Sequence, residues 1–97
     1  METREERAVG SSENSLSVEV VVAGDLGLHA RPAAEISKLA SKSRSGVWIA
    51  KGAERVDATS IIDILSLACA KGTRLVISVA DPADRPLLQS VAALIES

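Results

Sequence analysis

Aromatic residues are nearly missing from this chain. Its 97 residues contain no tyrosine, no phenylalanine and one tryptophan, Trp48. Stacking platforms for nucleotide bases are therefore absent, and the core must be aliphatic. A dominant charge is missing too: eleven basic residues against thirteen acidic ones leave a formal −2. Residues 1–15 account for that imbalance with four Glu and two Arg, and residues 16–97 are balanced at nine against nine. No basic field exists to hold a nucleic-acid backbone. The single cysteine, Cys69, lies in Leu67-Ala68-Cys69-Ala70. It excludes an intrachain disulfide, fits a reducing compartment and reads as a small buried apolar residue. No segment approaches the roughly 18 consecutive apolar residues of a membrane span. Residues 1–15 carry charge but no apolar stretch, so they do not read as a secretory signal, and the expected location is cytoplasmic. One histidine without clustered cysteines or carboxylates cannot build a metal site, and no cofactor is expected.

What the chain does have is aliphatic pattern. The apolar fraction of 46% suffices for one domain with a real core. Residues 1–15 read as a polar, disordered tail and residues 16–97 as the domain. Leu16, Val18, Val20 and Val22 alternate at a strand period. Gly24-Asp25-Leu26-Gly27 breaks the run. Ala33, Ile36, Leu39 and Ala40 give the stripe of a helix over about 30–43, with Pro32 in its first turn. Gly46–Ala50 and Arg55–Ala58 read as a hairpin around Lys51-Gly52-Ala53-Glu54, with Trp48 on the face opposite Val47 and Ile49. Ser60-x-x-Asp63 resembles a capping box at the start of a second helix, which ends by Gly72 in a left-handed cap. Leu75, Ile77 and Val79 form a fourth strand. Asp81–Asp84 is a turn, and Leu87, Leu88, Val91, Ala92, Leu94 and Ile95 are the stripe of a last helix. The order β-α-β-β-α-β-α predicts an α+β fold: a four-stranded antiparallel sheet with three helices on one face.

The stretch with chemistry is Gly27-Leu28-His29-Ala30-Arg31-Pro32-Ala33. It places the only histidine at the opening of the first helix. A helix N-terminus presents unpaired N–H groups and a partial positive charge, which suit a phosphate. A neutral imidazole nitrogen attacks phosphorus well and leaves it well. The N–H groups of Ala30, Arg31 and Ala33 are the expected donors to the phosphate oxygens. Arg31 adds a charge-assisted contact, and Pro32 sets the first turn in advance. Gly27 is expected to allow a tight approach of strand and helix and to leave room for a partner's phosphohistidine or cysteine. Most single histidines at helix starts have no chemistry, so spacing alone does not decide the matter.

Gly27–Ala33 resembles the active-site signature of the HPr family, the histidine-containing phosphocarriers of the bacterial phosphoenolpyruvate-dependent sugar phosphotransferase system. Ser60-Ile61-Ile62 with Ile64, Ser66-Leu67 and Ala70-Lys71-Gly72 resembles the second signature, at the matching separation. The likeness covers about residues 16–96 and implies an open-faced β-sandwich. It implies that His29 is phosphorylated through Nδ1, with Arg31 as partner. Enzyme I would donate and IIA domains of sugar permeases would accept, so the chain would be a stoichiometric carrier rather than a turnover enzyme. It also implies a regulatory role for Ser60 under an HPr kinase/phosphorylase, beside its reading as a plain N-cap. Asp63 stands where glycine is common and sets a carboxylate near that serine. Leu67-Ala68 replaces the usual Leu-Gly, which reads as a packing change. Ile61 and Ile62 divide between core and docking surface, with at least one exposed if Ile64, Leu65, Leu67 and Ala68 face the sheet. A monomer is the plain expectation. The alternatives are an HPr paralogue acting as a regulatory binding module and a nitrogen-branch carrier. A small anion-binding enzyme of the acylphosphatase kind is disfavoured, because the only asparagine, Asn14, lies in the tail.

Overall fold

Alternating apolar residues after Ser15 form the first strand of a four-stranded sheet. The computed structural model describes residues 15–97, so the tail expected at 1–15 lies outside the described residues apart from Ser15. The elements are β1 (Leu16–Val21), α1 (Ala30–Ala40), β2 (Val47–Lys51), β3 (Glu54–Asp57), α2 (Ile61–Ser66), β4 (Arg74–Val79), a 3₁₀ turn (Pro82–Asp84) and α3 (Arg85–Glu96). The sheet order is β1-β4-β2-β3, and every neighbouring pair is antiparallel. Only β2 and β3 are joined directly as a hairpin.

The register explains the two faces. Val18 faces Ile77, Ile77 faces Ile49, and Ile49 faces Val56. This row points toward the helices, as do Val20 with Leu75 and Val47 with Val79. The buried stripes of α1 (Ala33, Ile36, Ala40) and α3 (Leu88, Val91, Ala92, Ile95) close over it. Burying each large aliphatic side chain contributes about 1.5–3 kcal/mol. The other face carries Glu19, Val76, Ala50 and Arg55 in one row, and Ser17, Ser78, Trp48 and Asp57 in the next. Trp48 lies on this open face, as expected. Its ring covers Gly46, where a Cβ would fall 2.3 Å from the indole, and the Arg55 guanidinium sits 4.8 Å from its centroid.

Several expectations need correction. The first helix stops at Ala40 rather than near 43, because its last turn tightens: Lys42 and Ser43 donate to Leu39 and Ala40, three residues back. The hairpin strands are each shifted by one residue, although the Ala58 N–H still donates to Val47. The capping box is only half formed. Ser60 Oγ accepts from the Asp63 N–H at 3.2 Å, but the Ser60 N–H donates to the Asp57 carbonyl rather than to Asp63. The second helix ends at Ser66, well short of Gly72. The left-handed residue at its end is Ala68, with φ 53°, while Gly72 has the expected positive φ, 91°, but farther along the loop. Ala68 in place of glycine is therefore a backbone matter and not a packing change. Leu65 and Ala68 are exposed, while Ile64 and Leu67 face the sheet.

Candidate functional site

The site is built where β1 hands over to α1. After Val21 the chain stays bound to the rest of the fold: Val22 donates to Thr73, Gly72 donates to Val22, and Ala23 donates to Ile95. Gly24–Gly27 then turns, with the Gly27 N–H on the Gly24 carbonyl at 2.9 Å. Gly27 has φ 71°, and a Cβ there would lie 2.5 Å from the Cys69 carbonyl oxygen. Both facts demand glycine. The space at Gly27 is thus taken by the loop after α2, and is not left open for a partner's side chain. The Leu28 N–H donates to that same Cys69 carbonyl at 2.8 Å, which fixes the residue immediately before the histidine.

His29 is the N-cap of α1, with extended backbone (φ −88°, ψ −170°) and no capping bond from its side chain. The residue is exposed. Its ring is free to meet a ligand rather than spent on the helix end. Of the three expected donors, Ala33 is unavailable, because its N–H donates to the His29 carbonyl at 3.1 Å. The N–H groups of Ala30 and Arg31 have no acceptor among the described residues, and Pro32 has none to offer. Two amides, not three, face an incoming anion.

His29, Arg31, Pro32 and Gly27 line one cleft of about 230 Å³. Gly24, Leu28 and Glu35 line it as well. Glu35 lies one helical turn beyond Arg31, and its carboxylate opposes anion capture. It had no part in the site as read from the sequence. Ser60, Ile61 and Ile62 do not line this cleft. They form the start of α2, which packs against α1 through Ser37, whose Oγ donates to the Thr59 carbonyl at 2.7 Å. Ile62 is 78% exposed and Ile61 39%, so both isoleucines reach solvent, with Leu65 beside them. Leu26 is equally prominent at 78%. Asp57 shapes the turn into α2 by accepting from the N–H and hydroxyl of Thr59. Those bonds hold its carboxyl below the usual carboxylate range. Burial pushes the Cys69 thiol up, against a smaller opposing pull from Lys51.

Residues 16–97 match the family model described as the PTS HPr component phosphorylation site. The chain belongs to the HPr family. Among HPr proteins it is similar to the phosphocarrier protein HPr of Neisseria meningitidis, with 42% identity over 57 residues. That alignment covers 59% of this chain and 62% of the relative, so the chain spans somewhat under two thirds of that HPr. It also resembles the HPr-like protein Crh of Bacillus subtilis at 33% identity, covering 72% of this chain and 82% of Crh. The crystal structure of HPr from Bacillus anthracis superposes with a TM-score of 0.77 at 31% identity, covering 84% of this chain and 96% of that one. The α+β open-faced sandwich is thus the HPr fold. Among the described residues no helix is long and apolar enough to cross a membrane.

Proposed function

We propose that this chain is a phosphocarrier that holds a phosphoryl group as a phosphohistidine on His29. One observation carries the reading: an exposed, uncommitted imidazole caps a helix whose first two N–H groups are unpaired, with Arg31 in the same cleft. The imidazole nitrogen forms the bond to phosphorus as the donor's bond to that phosphorus breaks. The equatorial oxygens then take donors from Ala30, Arg31 and the guanidinium. Enzyme I is the donor in this reading, and IIA domains of sugar permeases are the acceptors. The protein acts in the cytoplasm and is regenerated by each transfer, as a stoichiometric intermediate without turnover of its own. Exposed Ile61, Ile62 and Leu65 supply an apolar docking surface on α2.

The test is incubation with phosphoenolpyruvate, magnesium and a bacterial Enzyme I. One acid-labile, base-stable phosphoryl group per chain is expected, and none in a folded His29→Ala variant. An adduct that survives that substitution would overturn the assignment.

A second reading is regulatory, favoured by likeness to Crh and by the place of Ser60 at the start of α2. The Ser60 hydroxyl accepts the Asp63 N–H and keeps its own proton to donate. Phosphate there gains from the helix start and loses to the nearby Asp63 carboxylate. Incubation with ATP and an HPr kinase, compared with Ser60→Ala and Asp63→Gly, decides it. No incorporation in either the parent or Asp63→Gly removes the regulatory role.

A further inference from the structure

The backbone before His29 is templated by the loop that follows α2. Leu28 donates to the Cys69 carbonyl, and the missing Cβ of Gly27 leaves just enough room for that oxygen. This loop is itself under strain, because Ala68 occupies the left-handed region at φ 53°. What restrains it comes from the far side of the fold. Lys51, the last residue of β2, follows the core-facing register of Val47 and Ile49. Its half-buried stem carries the ammonium across to the end of α2. There Nζ donates to the Leu67 carbonyl at 2.8 Å and to the Ala68 carbonyl at 3.3 Å. Three consecutive carbonyls are thereby claimed, the first two by Lys51 and the third by the Leu28 amide. Among the described residues neither Leu67 nor Ala68 has another donor to its carbonyl.

We propose that Lys51 is a positioning residue for His29, acting through the 67–69 loop and the Leu28–Cys69 hydrogen bond. This rests on the phosphocarrier reading above. A cation at a helix end, bonded to two carbonyls, is strong enough to hold a turn against its backbone preference. Removing it leaves both carbonyls without a donor among the described residues and lets the strained turn relax. The Cys69 carbonyl moves with it, and the approach to α1 loses its fixed point. Phosphoryl transfer is sensitive to displacements well under 1 Å at the nucleophile.

The experiment compares the full chain with Lys51→Met, which keeps the stem, and Lys51→Arg, which keeps the cation. Two quantities are read in each. One is hydrogen exchange at the Leu28 amide relative to the Ile77 amide of β4. The other is single-turnover phosphorylation of His29 by phospho-Enzyme I over a range of donor concentrations. In Lys51→Met, Leu28 exchange is expected to accelerate about tenfold relative to Ile77. The saturating rate is expected to fall roughly three- to tenfold, with the half-saturating concentration unchanged. Lys51→Arg is expected to restore both. Equal acceleration at Leu28 and Ile77 would reduce Lys51 to general stability and overturn the proposal, and so would an unchanged saturating rate. If the parent chain accepts no phosphoryl group on His29, the carrier reading fails, while the exchange ratio still judges the Lys51 clamp.

Discussion

Replacing Ala68 by glycine should make this protein more stable, against the usual direction of a core-domain substitution. Ala68 has φ 53°, where an L side chain crowds the following carbonyl at a cost of about 1–2 kcal/mol. Glycine removes that cost but loosens the unfolded chain, returning about 0.4–1 kcal/mol. The methyl group is exposed, so its loss forfeits little burial. The bond from Lys51 goes to the Ala68 backbone carbonyl and survives the change. The balance centres on a gain of about 0.8 kcal/mol. For a domain of this size that is a rise in Tm of roughly 3–6 °C. Thermal melting and urea titration of Ala68→Gly beside the parent measure it, with equal m-values showing that only stability changed. A variant equal to or less stable than the parent would show that the left-handed turn carries no strain, and would refute the account of the helix end.

Other substitutions probe other links. Gly27→Ala combines a positive φ with a 2.5 Å approach to the Cys69 oxygen; it should cost more than about 2 kcal/mol in chemical denaturation and slow any phosphorylation of His29. Ser60→Ala removes the N-cap of a six-residue helix and should cost about 1 kcal/mol, read by the same titration. Asp57→Asn tests the Thr59 turn by pH. The folded carboxyl is held below its usual range, so its contribution is present above the unfolded pKa and is lost as pH falls through the folded one. The variant should therefore be less stable than the parent at neutral pH, with the gap beginning to close only as pH falls below about 4 and closing fully below the lowered folded pKa; a gap independent of pH would count against the charged hydrogen bonds.

Much of the fold was legible because its pattern is simple. Period-two runs such as Leu75-x-Ile77-x-Val79 and the α3 stripe of Leu88, Val91, Ala92 and Ile95 each bury one face, and the simplest layered arrangement that satisfies them is a sheet covered by helices on one side. The placement of His29 and Arg31 together at the opening of α1 was legible from the motif. The missed features depend on contacts between residues distant in sequence. The end of α2 was misplaced because Gly72 is the stronger left-handed signal, while tertiary restraint forces Ala68 into that role. Asp84 looked like a turn residue, yet its carboxylate is buried and accepts the Arg44 N–H at 2.8 Å, tying the loop after α1 to the start of α3. Gly27 was read as a point of close approach, but neither its positive φ nor its true neighbour was foreseen, since nothing local announces the Cys69 carbonyl. Lys51 gave no signal at all: a lysine ending a hairpin strand is ordinarily a solvated charge.

The pairing of β1 with β4 has a consequence for how the protein is made. Leu16 lies opposite Val79, so the first strand waits for the fourth, and the closure entropy of everything between them must be overcome first. The amides that fix the approach to His29 reach for Cys69, Thr73 and Ile95, all of which leave the ribosome long after it does. A nascent chain displaying His29 therefore has the nucleophile without its geometry. On the phosphocarrier reading proposed above, the site would be complete only once the whole domain has closed.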